Sequence, residues 1–403
     1  MDGNRLSFLT LTTMASLVLI QNQACTQDES KSPTTETAAE TAAVSDVLAA
    51  IGPSVVLPTL ERFSNELSVL EERLSSLQDS LGSAGYFDAQ AEAQAQWVAT
   101  MSVWQELEVM QLGPAGSSMK FVGGEDIRDQ IYSWPTVNPC RVDQRTATEA
   151  WTDSDFFTDN LVNAYGLDAL EHLLFASTDS ECPSQVAPIS DGAWDDLGEE
   201  GIQNNRADFA LAIVQELQIQ AQSLTDAWSP EDGNYSALLS VQTADSPYAS
   251  ETEALNAVYN SLFYLETSTK DRKLALPLGL RDCAEDLCLD ELEGLASQTS
   301  LLSVRSNLVG FRNLFTGGED AGMDDLLTDI GHGDLSEQIL SDIDATISLA
   351  DSIDTPLKEL IVDDTDTAME FYDSLAKVTT ALKSDLATVL QMQIPSEAAG
   401  DND

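Results

Sequence analysis

The sequence predicts an all-α protein built as two helical bundles. Apolar residues recur at three- and four-residue spacing in segment after segment, and sustained strand-like alternation is missing. A turn-rich break, "WSPEDGNYSALLSVQTADSPYAS" at 228–250, separates two such runs. Residues 48–228 form the first expected bundle, 229–250 a linker, and 251–395 the second bundle, with 396–403 as a disordered tail. A loose echo between "AYGLDALE" and "VYNSLFYLE" suggests that the bundles arose by internal duplication.

Each helix is legible in turn. "LERFSNELSVLEERLSSLQDSL" carries one leucine-rich stripe. "AQAEAQAQWVATMSVWQELEVM" repeats the pattern with Trp97, Met101, Trp104 and Leu107. "RADFALAIVQELQIQAQSLTDAW" sets an apolar stripe against a polar face. In the second half, "ETEALNAVYNSLFYLETSTKDRKL", "SVRSNLVGFRNLF", "LSEQILSDIDATISLADSI" and "TAMEFYDSLAKVTTALKSDLATVLQM" continue in the same style.

The charge is extreme. Sixty-nine acidic residues face 18 basic ones across 403 residues, a formal net charge of −51. Such a surface repels phosphate backbones, so nucleic acid is not an expected partner. The plain reading is a solvated, self-repelling surface; the sharper one is a surface that gathers metal cations.

The start of the chain reads as a targeting segment over residues 1–24. Arg5 precedes an apolar run from Leu6 to Ile20, too short to span a bilayer. Cys25 follows Ala24 and is the expected lipidation site, although Asn22 departs from the aliphatic residue usual there. Residues 25–47, rich in Thr, Ala and Glu, read as a flexible tether between the membrane and the folded body. The expected location is therefore the bacterial cell envelope, with a lipid anchor as the membrane contact. Four further cysteines suit an oxidising compartment. Three pairings are open to them. The short "CAEDLC" loop favours Cys283–Cys288, which leaves Cys140–Cys182.

Several pieces then line up in order. "WVATMSVWQELEVMQLGP" is followed by "IYSWPTVNPCRVDQ", then "YGLDALEHLLF", and far downstream "SNLVGFRNLFTGG". Over roughly residues 48–390 this resembles the imelysin family of exported bacterial proteins. The resemblance implies an all-α fold of two related bundles, a place in the cell envelope, and a link to iron uptake. It also implies a Gly-x-His-x-x-Glu motif, followed by an aromatic and two leucines, near the meeting of the two domains. Gly166 and Glu171 match it; Asp168 stands at the histidine position, and His172 where the aromatic is usual.

Read on its own chemistry, a helix over this segment puts Asp168, Glu171 and His172 on nearly one face. Asp168 and His172 are candidate metal ligands and Glu171 a candidate base, in an order similar to an inverted zinc-protease motif with its first histidine replaced. No third ligand is visible. The other histidine, His332, lies in an expected loop. Aspartate favours a harder cation, so the expected cargo is a divalent or ferric cation, or a ligand bearing one. The plainer readings are a packed His172 and a buried Glu171 paired with Arg141. Gly166, Trp134, Arg141 and Asp143 are the expected near side of the pocket, with Asn307 and Arg312 opposite. Arg141 and Asp143 read equally well as a structural ion pair, and Asn307 and Arg312 as an ordinary helix face. Three functions follow: a non-enzymatic binding protein of iron uptake, working with other envelope proteins; a metallopeptidase using Glu171 as base; or a surface interaction lipoprotein with a degenerate pocket.

Overall fold

Two prolines shape the first helix. Residues Ala43–Asp79 form α1, which widens into a π-turn over Ile51–Val56. Pro53 lies in that turn; its missing N–H and its ring disfavour regular i→i−4 bonding. Beyond Pro58, the buried residues Leu60, Phe63, Leu67, Leu70, Leu74 and Leu77 make one continuous stripe. The computed structural model describes residues 43–398. The expected signal peptide, most of the tether and Cys25 lie outside the described residues. The tether ends earlier than the composition suggests. Ala43 already begins α1, and Val47 and Leu48 are fully buried, so these apolar residues extend the helix stripe.

The stripe of α1 packs on α2 (Tyr86–Glu108) and α5 (Ala193–Trp228). Trp97, Met101 and Trp104 of α2 point inward, with Trp104 against Phe63 at 5.1 Å between ring centroids. Helix α5 is interrupted at Gly198, where φ is 65° and ψ 173°; its long apolar face follows that break. Between α2 and α5 lie α3 (Pro139–Thr148) and α4 (Leu167–Phe175). Asn138 caps α3 by accepting from the Arg141 backbone N–H, and Pro139 occupies the first helical position, where no N–H is needed.

The second bundle starts with α6 (Glu251–Leu262), capped by Ser250. It runs on into an 11-residue π-turn, Leu265–Ala275. Then come α7 (Ser300–Thr316), α8 (Met323–Asp329), α9 (Gly333–Asp351), α10 (Leu357–Asp363) and α11 (Thr365–Ala381). No strand occurs among the described residues. Both expected disulfides form: Cys140–Cys182 ties α3 to the segment after α4, and Cys283–Cys288 closes a short loop.

The segment expected to be a linker is anchored. It holds a one-turn helix, Tyr235–Leu239, and both of those residues are buried. The Tyr235 and Tyr248 hydroxyls meet at 2.7 Å. Ser236 packs where a Cβ on Gly52 would lie, only 1.9 Å from its Oγ. The C-terminal segment is also packed up to its last described residue, since Ala398 is fully buried. The apolar core is correspondingly one continuous cluster with members from both halves.

Helix α7 joins the halves by lying on α2 while also packing on α9. Gly310 permits the crossing: a Cβ there would stand 2.2 Å from the Glu106 carbonyl oxygen. Alanine at this position gains about 1 kcal/mol in helix propensity but must push two backbones apart. We expect Gly310→Ala to cost about 1–3 kcal/mol by urea unfolding. Gly85→Ala, which meets only Ser83 Oγ at 3.6 Å, should stay within about 0.5 kcal/mol.

Candidate functional site

Helix α4 carries the opening motif, and its three polar side chains go to three different places. Gly166 precedes the helix at φ 106°, and a Cβ there would stand 2.8 Å from Asp168 Oδ1 and 3.0 Å from the Ile131 carbonyl oxygen. Glycine therefore lets the Ile131 backbone lie directly over the helix start. The Trp97 indole donates to the Leu167 carbonyl at 2.9 Å, fixing the same turn.

Asp168 is buried and its Oδ2 lies 2.9 Å from Ser133 Oγ. Ser133 Oγ is also 3.0 Å from the Val162 carbonyl. The hydroxyl has one proton to donate. A protonated Asp168 satisfies both contacts, donating to Ser133 while Ser133 donates to Val162. Burial pushes the Asp168 carboxyl up to about 7, against the opposing pull of the Ser133 hydrogen bond. Glu171 turns to the second half, where its Oε1 accepts from Ser297 N at 2.9 Å and Ser297 Oγ at 2.8 Å. Burial raises its pKa as well. His172 turns the other way, placing Nε2 2.8 Å from Asp143 Oδ1. Asp143 is fully buried; its Oδ2 accepts from Ser180 Oγ and the Glu181 backbone N–H, next to the Cys140–Cys182 disulfide.

This corrects the expectation of one shared ligand face. Asp168, Glu171 and His172 do not converge, and no group of three or more His, Cys, Asp or Glu among the described residues is arranged to hold a metal. The donor set does not fit a catalytic metal. Arg141 does not reach Glu171; its guanidinium meets Gln144 at 3.2 Å. Asp143 pairs with His172 rather than with Arg141. Arg312 lies at the surface, 2.7 Å from Asp344. His332 is exposed, just ahead of α9. Helical spacing put the motif side chains on one face, but neighbouring segments draw them apart.

Asn307 lies elsewhere, in a buried polar network between the halves. Its Nδ2 donates to the Gln105 carbonyl at 2.7 Å, and its Oδ1 accepts from Lys273 Nζ at 2.9 Å. Lys273 is 1% exposed and pairs with Glu293, also 1% exposed, at 3.0 Å. Gln105 and the Tyr132 hydroxyl both donate to the other Glu293 oxygen, at 2.9 and 2.7 Å. Burial lowers the Lys273 pKa, and Glu293 opposes that shift. Alongside, Arg128 grips the buried Glu108 through two bonds of 2.9 and 3.0 Å, and Tyr264 donates to the same carboxylate. Burial alone would raise Glu108, but Arg128, Lys273 and Tyr264 outweigh it and hold the carboxyl below its usual range.

Sequence reasoning missed Gln105, Glu108, Arg128, Tyr264, Lys273 and Glu293. One signal was available. "KDRKLALPLGLR" places Lys270, Arg272, Lys273 and Arg281 within a dozen residues of a chain holding only 18 basic residues.

In front of this network opens a cleft of about 700 Å³. Trp134 and Tyr264 line it, with Arg128, Lys120, Arg272 and Arg281. Trp134 directly follows Ser133, so Asp168 holds this wall from behind.

Comparison with known proteins decides the family. The Imelysin family model, which carries a peptidase label, matches residues 59–388. The chain belongs to the imelysin family. Among solved structures, an imelysin-like protein from Psychrobacter arcticum 273-4 superposes with a TM-score of 0.65 at 18% identity, covering 88% of this chain and 98% of that one. A protein from Parabacteroides distasonis ATCC 8503, named a putative iron-regulated protein A precursor, gives 0.64 at 17% identity, covering 85% of this chain and 94% of that one. At these identities the likeness shows the fold. No curated protein matches at a significant level.

Two outcomes follow for this imelysin. The folded-state pKa of Asp168 lies above the ordinary carboxyl value of 3.8, so folding takes up a proton between about pH 4 and about pH 7. The group's full stability is present below about 4, falls as pH rises, and is lost above about 7. Urea unfolding at a series of pH values should show Asp168→Asn flattening this decline, because the amide donates to Ser133 at every pH. Separately, Lys273→Met should destabilise by about 3–5 kcal/mol, since it strands a buried Glu293. Adding Glu293→Gln should recover a large part of that loss in the same assay.

Proposed function

We propose that this imelysin is an exported, envelope-held binding protein of iron uptake, with the inter-half cleft as its ligand site and no peptidase chemistry. The observation that carries this reading is the cleft itself, walled by Trp134 and Tyr264 and backed by a fully paired polar network. A rigid, concave, half-apolar space with a few polar groups is what small-molecule sites require. The motif side chains support it from the other direction. Each already has a protein partner, so a cation enters as part of a ligand with its own donor atoms. The name of the Parabacteroides relative supports the link to iron. The two disulfides support export to an oxidising compartment. A lipid on Cys25 is part of the same reading.

The peptidase reading requires Glu171 to activate a metal-bound water. Glu171 instead accepts two hydrogen bonds from Ser297, and the metal ligands that such a base needs do not surround it.

Two measurements test the proposal. Host cells lacking the chain should accumulate less radiolabelled iron under iron starvation, and restoring the intact chain should restore uptake; unchanged accumulation would refute the role. Purified protein given unfolded polypeptide and added zinc should produce no cleavage. Cleavage by the wild type that disappears in Glu171→Ala would establish the peptidase instead.

A further inference from the structure

The charges that line the cleft leave nothing over for an anion. Lys120 meets Glu397 at 3.0 Å, Arg128 meets Asp129 at 2.9 Å, and Arg281 meets Asp271 at 2.9 Å and Asp282 at 3.6 Å. Asp126 accepts from Ser118. Two lining charges remain without a protein partner among the described residues, Arg272 and Glu291; both are exposed, and they are of opposite sign. In all, four basic and six acidic residues line the space. The net charge of −51 also repels any anion on its approach.

The uncharged part of the lining points to a neutral ligand. Phe121, Trp134, Pro135 and Leu276 supply apolar surface. Ser117, Ser261, Thr267 and Ser268 add hydroxyls, which can either donate or accept. One acceptor is unspent: Asn260 Oδ1, on the wall formed by α6, is buried with no hydrogen-bond partner. A buried acceptor left in that state is costly. The occupant that fits therefore brings an N–H or O–H of its own, which a bare carboxylate lacks.

We infer that the cleft takes the ferric complex of an amide-bearing trihydroxamate chelator, a ligand of zero net charge, with its carbon chain against Phe121 and Trp134 and an amide N–H on Asn260 Oδ1. This rests on the ligand-site reading above and adds the chemical class. The charge of the complex selects that class. Iron(III) carries three positive charges and favours hard oxygen donors in an octahedral shell. Three bidentate hydroxamates, each a monoanion, fill the shell and cancel the charge. Three catecholates, each a dianion, leave the complex strongly negative, and ferric polycarboxylates are anionic too. The hydroxamate complex matches a lining with no positive charge to spare. Its iron needs no protein ligand, in agreement with Asp168, Glu171 and His172, all of which are bound to protein partners. The size agrees as well, because about 700 Å³ falls in the usual range for small-molecule sites.

Titration calorimetry of the full folded chain tests this with two probes: ferrichrome, a neutral trihydroxamate complex with peptide N–H groups, and ferric citrate, an anionic complex. Ferrichrome should bind at one site per chain, with an affinity that hardly changes as ionic strength rises, because a neutral ligand offers salt nothing to screen. Ferric citrate should bind at least about 10-fold more weakly. Phe121→Ala and Asn260→Ala should each weaken ferrichrome binding by about 3- to 10-fold, with an unchanged urea midpoint showing that the fold is kept. Arg305→Ala, whose partner is Asp351, should leave affinity unchanged, since neither residue lines the cleft. Ferric citrate binding more tightly than ferrichrome would overturn the neutral class while leaving a chelate-binding protein in place. Ferrichrome binding that neither Phe121→Ala nor Asn260→Ala weakens would overturn the assigned site. Silence from both probes would overturn the inference and leave the iron-uptake role to stand or fall on the cellular measurement.

Discussion

The Lys273–Glu293 pair is the interaction on which the arrangement of the two halves depends. Both side chains are out of water, where an isolated charge is costly. They are tolerated because each has further partners. Lys273 also donates to Gln105 and Asn307, and Glu293 accepts from Gln105 and Tyr132. Those partners come from α2, from the turn before Trp134, from the π-turn, from the loop ahead of α7, and from α7 itself. A network with so many contributors is satisfied in one relative placement of its segments. Apolar contacts supply most of the driving force for association, but they are not directional. The polar network is directional, and it selects the register in which the apolar faces meet. The close crossing at Gly310 acts in the same sense, because α7 can approach α2 only where the side chain is absent.

The motif helix α4 performs a related task. Its residues tie three separate segments: Asp168 to the Ser133 turn, Glu171 to the Ser297 loop, and His172 to Asp143 under the disulfide. Two of those segments bear on the cleft. The Ser133 turn presents Trp134, and the loop of Ser297 also carries Glu293. A short helix with polar side chains leaving in different directions can thus organise a cleft wall from behind. Aspartate suits this role at position 168. When protonated, it donates to Ser133 and leaves Ser133 free to donate to the Val162 carbonyl. The cost appears in the pKa, since burial favours the neutral carboxyl.

Charge is divided between surface and interior. The net charge of −51 resides mainly in exposed carboxylates, which keep the chain hydrated and self-repelling. The few cations are concentrated where the halves meet. There they neutralise buried carboxylates such as Glu108, Glu266 and Glu293, and they also reach the cleft.

The sequence by itself determined the helices and the family resemblance, and it favoured the cysteine pairing that the structure shows. These properties are local or nearly so. The leucine spacing of α1 and the Trp97–Met101–Trp104 face require only the 3.6-residue repeat, and Cys283 and Cys288 stand five residues apart. The tertiary structure decided the direction of each polar side chain. Spacing on α4 could not reveal that Ser297, 126 residues away, takes Glu171, or that Asp143 takes His172. Nor could it show that Asn307 enters a buried network while Arg312, five residues further along the same helix, faces solvent. Hydrogen-bond partners are fixed by which segments the packed core brings together, and no local repeat encodes that choice. The cleft follows the same rule: its wall combines residues from Gln111 to Glu397, adjacent only after folding.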